Sequence, residues 1–202
     1  MSEARPQNLK RSAFHALWGL FAVFLAVRYL SAHELTLVSG AFTLIAWCLE
    51  GLKRSGVWGE ALFEHLFGAI THASERDKIN SATWYCSAVW VSTLLFEPLA
   101  ITLSVLCLAV GDPMAGVIGR RYGRTKLLKG RSLEGTLSFV ISATLASSAL
   151  LSLTPHNIES AWSVALSCAV ASAFAELLSG DWLDDNLTIP LIGASAASWA
   201  LS

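Results

Sequence analysis

Carboxylate side chains occur at positions that an otherwise apolar sequence rarely tolerates. Asp112 lies within a long apolar segment, Glu134 begins the next, Glu176 ends a third, and an acidic run at 181–185 follows it. A charged side chain at the centre of a membrane helix costs about 2.5–3.5 kcal/mol on insertion scales. These carboxylates are therefore the first candidates for a functional site.

A strongly basic loop separates Asp112 from Glu134. Six cations lie within twelve residues, with glycines at 119, 123 and 130: Arg120, Arg121, Arg124, Lys126, Lys129 and Arg131. Such a loop can hold a polyphosphate, or it can simply orient the chain and touch anionic headgroups. The nearby carboxylates favour the polyphosphate, because a nucleoside triphosphate arrives with Mg²⁺, which binds one or two carboxylates together with phosphate oxygens.

Further candidates flank these charges. Ser132 and Gly135 open an apolar segment with Glu134, where free helix amides can bind phosphate, although Glu134 can also merely favour the positive helix end. Asn186 and Thr188 lead from the acidic run into the last apolar segment. Neither a P-loop nor the glycine-rich loop of protein kinases is present, so a nucleotide site here must be of another kind.

The elements that position these residues are predicted to be membrane helices. The sequence has 202 residues, of which 54% are hydrophobic and 14% charged, and its apolar blocks approach the ~20 residues that span a bilayer. We predict an all-α bundle of about seven transmembrane helices, at 12–30, 33–51, 79–96, 98–119, 132–153, 158–178 and 187–201. The pattern at 57–72 predicts an amphipathic helix lying in the interface.

The distribution of Lys and Arg predicts the orientation of the chain. With seven spans, every Lys and Arg except Arg28 falls on one side, which the positive-inside rule makes cytoplasmic, and the N-terminus lies there too. The same topology places the carboxylates at this face. We expect Pro113 to break its helix locally, Glu50 and Glu97 to be solvated or to snorkel toward water at helix ends, and the four cysteines to be small core- or lipid-facing residues without paired spacing.

Three stretches, in matching order, resemble the CTP-dependent kinases of dolichol, phytol and diacylglycerol. The central one is GDPMAGVIGRRYGR at 111–124, followed by RSLEGT at 131–136. Lys10 and Arg11 with His15 and Gly19 are similar to the family's basic-x-x-x-His-x-x-x-Gly opening, and Glu176 with DDNLTIPL at 184–191 is similar to its C-terminal element. The proline after Asp112 and the arginine at position 11 depart from the commoner forms.

The resemblance implies one integral membrane kinase domain over 1–202 that transfers phosphate from CTP to a lipid alcohol and requires Mg²⁺. It implies catalytic roles for Asp112, His15 and Glu134, and metal binding by Asp112, Glu176 and Asp185. The implied nucleotide-binding residues are Arg120, Arg121, Lys126, Lys129, Arg131, Ser132, Gly135, Asn186 and Thr188. The general base stays unassigned.

The expected partners are CTP, the lipid alcohol and surrounding membrane lipids, with no nucleic acid, and homo-oligomerisation is left open. The expected location is multi-pass in a bacterial or archaeal inner membrane or an organelle membrane such as the endoplasmic reticulum. Two alternatives remain. A phosphatidate cytidylyltransferase also uses CTP, but its histidine-glycine and late aspartate-arginine signature is absent from this sequence. A small transporter would use Asp112 and Glu176 to line a pathway.

Overall fold

The structure is a computed structural model that describes residues 17, 19–21, 23, 29–54, 78–153, 160–180 and 183–202. These residues form helices and no strand. The helices are α1 Ala32–Arg54, α2 Ser81–Leu95, α3 Pro98–Leu106, α4 Asp112–Tyr122, α5 Leu133–Leu153, α6 Ala161–Leu178 and α7 Asp185–Leu201. A π-helical segment, Cys107–Gly111, joins α3 to α4 without a break.

The all-α prediction is therefore confirmed for the described residues, and six of the predicted segments coincide with helices. Four helices are long and apolar enough to cross a membrane: Ala32–Arg54, Pro98–Tyr122, Leu133–Leu153 and Ala161–Leu178. Helices α2 and α7 are shorter, with 15 and 17 residues. The total of seven spans and the cytoplasmic N-terminus stay predictions. The 57–72 segment, His15 and most of 12–30 lie outside the described residues.

Pro113 does not break its helix, contrary to the prediction. The helix continues from Pro98 to Tyr122, and the turn before the proline widens into the π-helical segment Cys107–Gly111. A proline ring clashes with the carbonyl four residues earlier, here that of Ala109 within the wide turn. A π-bulge relieves such crowding without ending the helix, and π-bulges are frequent at functional sites. Asp112 follows the bulge directly, with helical φ/ψ of −61° and −47°.

The last helix occupies the middle of the bundle. Helix α7 packs against α2, α3 and α6, while α5 packs against α4 and α6, and α1 lies outside against α2. The main core contains Leu103, Phe139, Val164 and Ile189, which come from α3, α5, α6 and α7. Large apolar side chains such as Leu145 and Phe174 point outward, as expected for helices that face lipid.

Chain direction brings six helix ends to one end of the bundle. The C-terminal ends of α1, α4 and α6 lie there with the N-terminal ends of α2, α5 and α7, as the contacts below show. Every Lys and Arg in the described part of the chain lies on these ends or on the segments joining them, at 53–54, 78 and 120–131. Only this end can therefore assemble a site from both cations and carboxylates of the described residues.

Candidate functional site at the charged end of the bundle

Arg131 is the centre of the charged end. Its Nη1 lies 2.6 Å from Oε1 of Glu176, and its Nη2 lies 3.1 Å from Oδ2 of Asp185. Nη2 also donates to Ser179 Oγ at 3.5 Å. The side chain of Glu176 is only 1% exposed, whereas those of Arg131 and Asp185 are 24% and 29% exposed. One guanidinium therefore bridges the end of α6 and the start of α7, using the two-pronged geometry that suits arginine to carboxylates.

Asp112 belongs to the same electrostatic cluster. Burial lowers the pKa of the Arg131 guanidinium, but the charges of Glu176, Asp185 and Asp112 outweigh it and raise that pKa above its ordinary value. Carboxylates from α4, α6 and α7 thus act on one cation. We refer to Asp112, Arg131, Glu176 and Asp185 as the acidic cluster. Its members were predicted from separate motifs, and the structure brings them together.

The buried carboxylate of Glu176 is only half satisfied. Its Oε1 pairs with Arg131, whereas its Oε2 is buried without a hydrogen-bond partner among the residues that the structure describes. An unpaired buried carboxylate oxygen is costly and calls for a further cation or donor. Oxygen ligands of this kind suit Mg²⁺, which usually binds one or two carboxylates and completes its shell with phosphates and water. The residues present therefore fit a magnesium ion that arrives with a nucleotide.

The predicted metal residues do not form a ready-made metal cage. Within the described ranges, no group of three or more His, Cys, Asp or Glu side chains is arranged to hold a metal ion. Glu176 and Asp185 instead pair with the Arg131 guanidinium, and the charge of Asp112 acts on it. Their roles as metal ligands stay predictions.

A hydrogen-bond network fixes the start of α7. Both the backbone N–H and the side-chain amide of Asn186 donate to Oδ1 of Asp184, at 2.9 and 2.8 Å, and the amide also donates to Oδ1 of Asp185 at 3.0 Å. Ser81 at the start of α2 donates to the other Asp184 oxygen at 3.1 Å. Burial, followed by the charge of Asp185, raises the pKa of Asp184 despite these bonds. The Asn186 amide thus holds two carboxylates in place, and Thr188 Oγ1 bonds back to the Asp184 carbonyl.

The basic loop folds as a tight hairpin at the charged end. Leu127 N–H donates to the Arg131 carbonyl at 2.8 Å, and Arg131 N–H donates to the Leu128 carbonyl at 3.0 Å. Lys129 has a φ of 52°, in the left-handed region that disfavours side chains with a Cβ. Its ammonium donates to the Leu178 carbonyl at the end of α6. This contact satisfies an orphan carbonyl at the negative end of a helix, which stabilises both the helix end and the strained turn.

The residues around the start of α5 have structural contacts. Both oxygens of Glu134 accept from the Thr125 N–H, at 3.1 and 3.3 Å, which anchors the basic loop to α5. Ser132 is buried, and its Oγ accepts from the Gly135 N–H at 3.2 Å as a helix cap. A Cβ at Gly135 would lie 2.9 Å from the Ala115 carbonyl, so glycine is needed for α4 and α5 to pack. Catalytic or nucleotide-binding roles for these residues stay predictions.

Three predicted phosphate ligands lie on the exposed side of the loop. Arg120 folds back over its own helix toward Gly116, Arg121 lies over the Tyr122 ring at 5.4 Å, and Lys126 is exposed. Their exposure leaves them available to an anionic headgroup or to a nucleotide.

Glu50 is buried, contrary to the prediction that it is solvated. Its side chain is 2% exposed and pairs with Lys53 at 2.9 Å and Arg54 at 3.2 Å. It also accepts from the Asn80 N–H at 3.2 Å. Glu50 lies at a helix end, where side chains are usually solvated, but the packing of α1 against α2 buries this carboxylate. The basic residues three and four positions later were the signal that a partner was available.

Two hydroxyl groups in the network were missed from the sequence. Ser81 and Ser179 contact Asp184 and Arg131, although serine is common throughout this chain and carries no distinctive spacing. Their position beside helix ends is the only sequence signal that could have singled them out. His15, which was predicted to be catalytic, lies outside the described residues.

Comparison with known proteins agrees with the motif resemblance. The chain is 30% identical to dolichol kinase of Schizosaccharomyces pombe over 199 residues, which cover 91% of this chain and 38% of that kinase. It is 25% identical over 203 residues to CTP-dependent diacylglycerol kinase 1 of the same yeast, covering 95% and 92% of the two chains. The chain is a homologue of the lipid-alcohol kinases.

A phytol kinase of Synechocystis is also similar to the chain. It is 36% identical over 106 residues, covering 51% of this chain and 45% of that kinase. The chain spans less than half the length of this phytol kinase and of the yeast dolichol kinase, but nearly the whole length of the yeast diacylglycerol kinase. No protein-family model and no solved structure matches the chain. The similarity supports a lipid kinase, and the four apolar helices support association with a membrane.

Proposed function

We propose that the chain transfers the terminal phosphate of CTP to the hydroxyl of a membrane-embedded lipid alcohol, giving a lipid monophosphate and CDP. The proposal rests on one observation: Arg131 pairs with Glu176 and Asp185 from two helices at the end of an apolar helical bundle, and the charge of Asp112 from a third helix acts on the same guanidinium. Similarity to lipid kinases, one of them named as CTP-dependent, supports the same reaction.

The charged end suits phosphate chemistry because its carboxylates and the backbone that carries Arg131 are fixed and partly shielded from water. Phosphoryl transfer passes through a loose transition state, so positioning and neutralisation of charge supply most of the catalysis. Arg131 lies on a hairpin whose backbone is fixed by two hydrogen bonds, and Lys129 ties that hairpin to α6. The backbone that carries Arg131 is therefore preorganised, and the loop need not be ordered during the reaction.

A magnesium ion would be held by oxygens of the acidic cluster. Glu176 Oε2 is buried without a described partner, and Asp185 and Asp112 flank the same cation. When bound with the nucleotide, the ion would neutralise the developing charge on the phosphate oxygens. The chain's own contribution is to hold Asp185 in place through the Asn186 amide, which also donates to Asp184, itself bonded by Ser81 at the start of α2.

The bundle also suits a lipid acceptor. Its helices expose large apolar side chains along their lengths, whereas the described cations lie together at one end. A long-chain alcohol lying among lipids carries its hydroxyl at the headgroup level, which is where a site at the helix ends would be. A polyprenol or dolichol, a phytol-like isoprenoid and a diacylglycerol all have this arrangement, and the substrate stays open among them.

The test is to incubate purified protein in mixed micelles with Mg²⁺, terminally labelled CTP and each lipid in turn. We expect the label to move to a lipid monophosphate, with CDP formed in equal amount. A CDP-lipid with release of pyrophosphate from CTP and phosphatidate would support a cytidylyltransferase instead. If the protein consumes no CTP with any lipid but mediates solute uptake in vesicles, the transporter alternative is correct.

A further inference from the structure

The Arg131 guanidinium occupies the place where the proposed site needs a cation. It lies 2.6 Å from Glu176 and 3.1 Å from Asp185, and Asp112 also acts on its charge. One oxygen of Glu176 remains buried and unpaired among the described residues. The cluster is therefore neutralised in part, and it keeps one buried carboxylate oxygen without a described partner.

The cluster cannot hold both a divalent ion and the Arg131 guanidinium without strong repulsion between them. A divalent ion bound to Glu176 and Asp185 would lie beside the Arg131 guanidinium, and like charges at such a distance repel strongly in a poorly hydrated site. The carboxylates cannot leave, because Glu176 is 1% exposed and Asp185 is held by Asn186. Arg131 is the partner that can move, since its side chain is 24% exposed and long.

The hairpin determines which part of Arg131 moves. Its carbonyl and N–H are both bonded within the loop, to Leu127 and Leu128. Lys129 fixes the loop to the Leu178 carbonyl. The backbone of Arg131 is therefore held, and only rotation of the side chain can separate its guanidinium from Glu176.

We propose that Arg131 is the resident counter-cation of the acidic cluster in the nucleotide-free protein, and that a divalent cation binding at Glu176 and Asp185 displaces its guanidinium. The displaced guanidinium remains on the same hairpin and is delivered to the phosphates that accompany the ion. Only the delivery of the guanidinium to phosphates rests on the proposed function. The exchange of cations requires neither nucleotide nor lipid.

The test is thermal unfolding of purified protein titrated with MgCl₂ in the absence of nucleotide. In the wild type, Mg²⁺ has to compete with Arg131, so we expect a weak rise in Tm. In Arg131→Gln the competitor is gone, and we expect a lower Tm in EDTA but a rise of about 5–10 °C when Mg²⁺ exceeds its Kd by about 100-fold. Arg131→Lys keeps the positive charge but loses the two-pronged guanidinium, so its rise in Tm should lie between those of the wild type and Arg131→Gln.

Two controls identify the site. Arg121→Gln removes an exposed guanidinium from the neighbouring helix end and should respond to Mg²⁺ as the wild type does. Adding Glu176→Gln to Arg131→Gln or Arg131→Lys should abolish the enhanced response, because the buried ligand oxygen is lost.

Equal Mg²⁺ responses in the wild type and both Arg131 variants would overturn the inference, as would no response in any of them. These outcomes are separate from the fate of the proposed function. A protein that shows the exchange but phosphorylates no lipid would keep the inference about Arg131 and refute the kinase, and active enzyme without the exchange would do the reverse.

Discussion

Replacing Glu176 with glutamine removes the most deeply buried charge of the acidic cluster. The carboxylate is 1% exposed and lies 2.6 Å from Arg131, and breaking a buried ion pair costs about 3–5 kcal/mol. Asp185 still neutralises Arg131 in the variant, so we expect the lower end of that range, about 3 kcal/mol. For a chain of this size, this corresponds to a fall in Tm of about 6–12 °C.

Asp185→Asn is the matched comparison. It removes the other partner of the same guanidinium, but this carboxylate is 29% exposed and lies 3.1 Å away. A partly solvated pair contributes only up to about 1 kcal/mol, so its Tm should fall by no more than about 4 °C.

The buried cysteines provide the assay. Cys107 and Cys168 are fully buried, whereas Cys48 is exposed and Cys86 is half-buried, so a thiol-reactive dye reports exposure of the buried pair on heating once Cys48 and Cys86 are replaced by alanine. The reasoning is wrong if Asp185→Asn lowers the Tm as much as Glu176→Gln, or if Glu176→Gln changes it by less than about 2 °C. Either result would mean that burial does not set the strength of these pairs.

Three further predictions concern the loop, the core and the topology. Lys129→Gln should lower Tm by releasing the loop from α6, whereas Lys126→Gln should leave Tm unchanged and raise the CTP concentration needed for half-maximal rate; equal Tm values for the two would contradict the contact with Leu178. A membrane-soluble oxidant should join Cys107 and Cys168, whose Sγ atoms are 3.6 Å apart, so that fragments cleaved between them stay linked unless reduced; separate fragments would contradict the packing of the core. A cysteine introduced at Thr125 should be labelled from the cytoplasmic side in sealed vesicles, and labelling from the opposite side alone would invert the predicted orientation.

The sequence predicted the helices well because membrane helices are specified by apolar length. The segments at 33–51, 98–119 and 132–153 match helices at Ala32–Arg54, Pro98–Tyr122 and Leu133–Leu153 within a few residues. The exception concerned Pro113. Its effect depends on whether the preceding turn can widen, and a π-helical turn is a property of packing that residue order does not reveal.

The sequence predicted which kinds of residues form the site, but not their pairing. Five cations of the basic loop were predicted alike to bind nucleotide, and only the hairpin geometry places Arg131 between Glu176 and Asp185 while Lys126 stays exposed. Asn186 was predicted to bind nucleotide, yet its amide donates to two carboxylates. Such pairings depend on the rotation of each helix about its axis, which hydropathy constrains loosely.

Contacts between distant segments were the least predictable. Cys107 and Cys168 are 61 residues apart, and their single positions in separate apolar blocks gave no reason to expect adjacent thiols. Glu50 was expected to be solvated because it lies at a helix end, but the approach of Asn80 covers it. Both follow from tertiary packing, which sequence periodicity cannot supply for helices that are apolar on every face.

The central claim is that the acidic cluster performs phosphoryl transfer, and the measurement that tests it most directly compares Asp112→Asn with Glu97→Gln. Glu97 is exposed at the opposite end of the bundle and its side chain makes no capping bond, so its variant controls for loss of a carboxylate. With terminally labelled CTP, Mg²⁺ and the preferred lipid, we expect Glu97→Gln to label lipid at the wild-type rate and Asp112→Asn to lose at least about 100-fold. Wild-type transfer by a folded Asp112→Asn protein would contradict the claim.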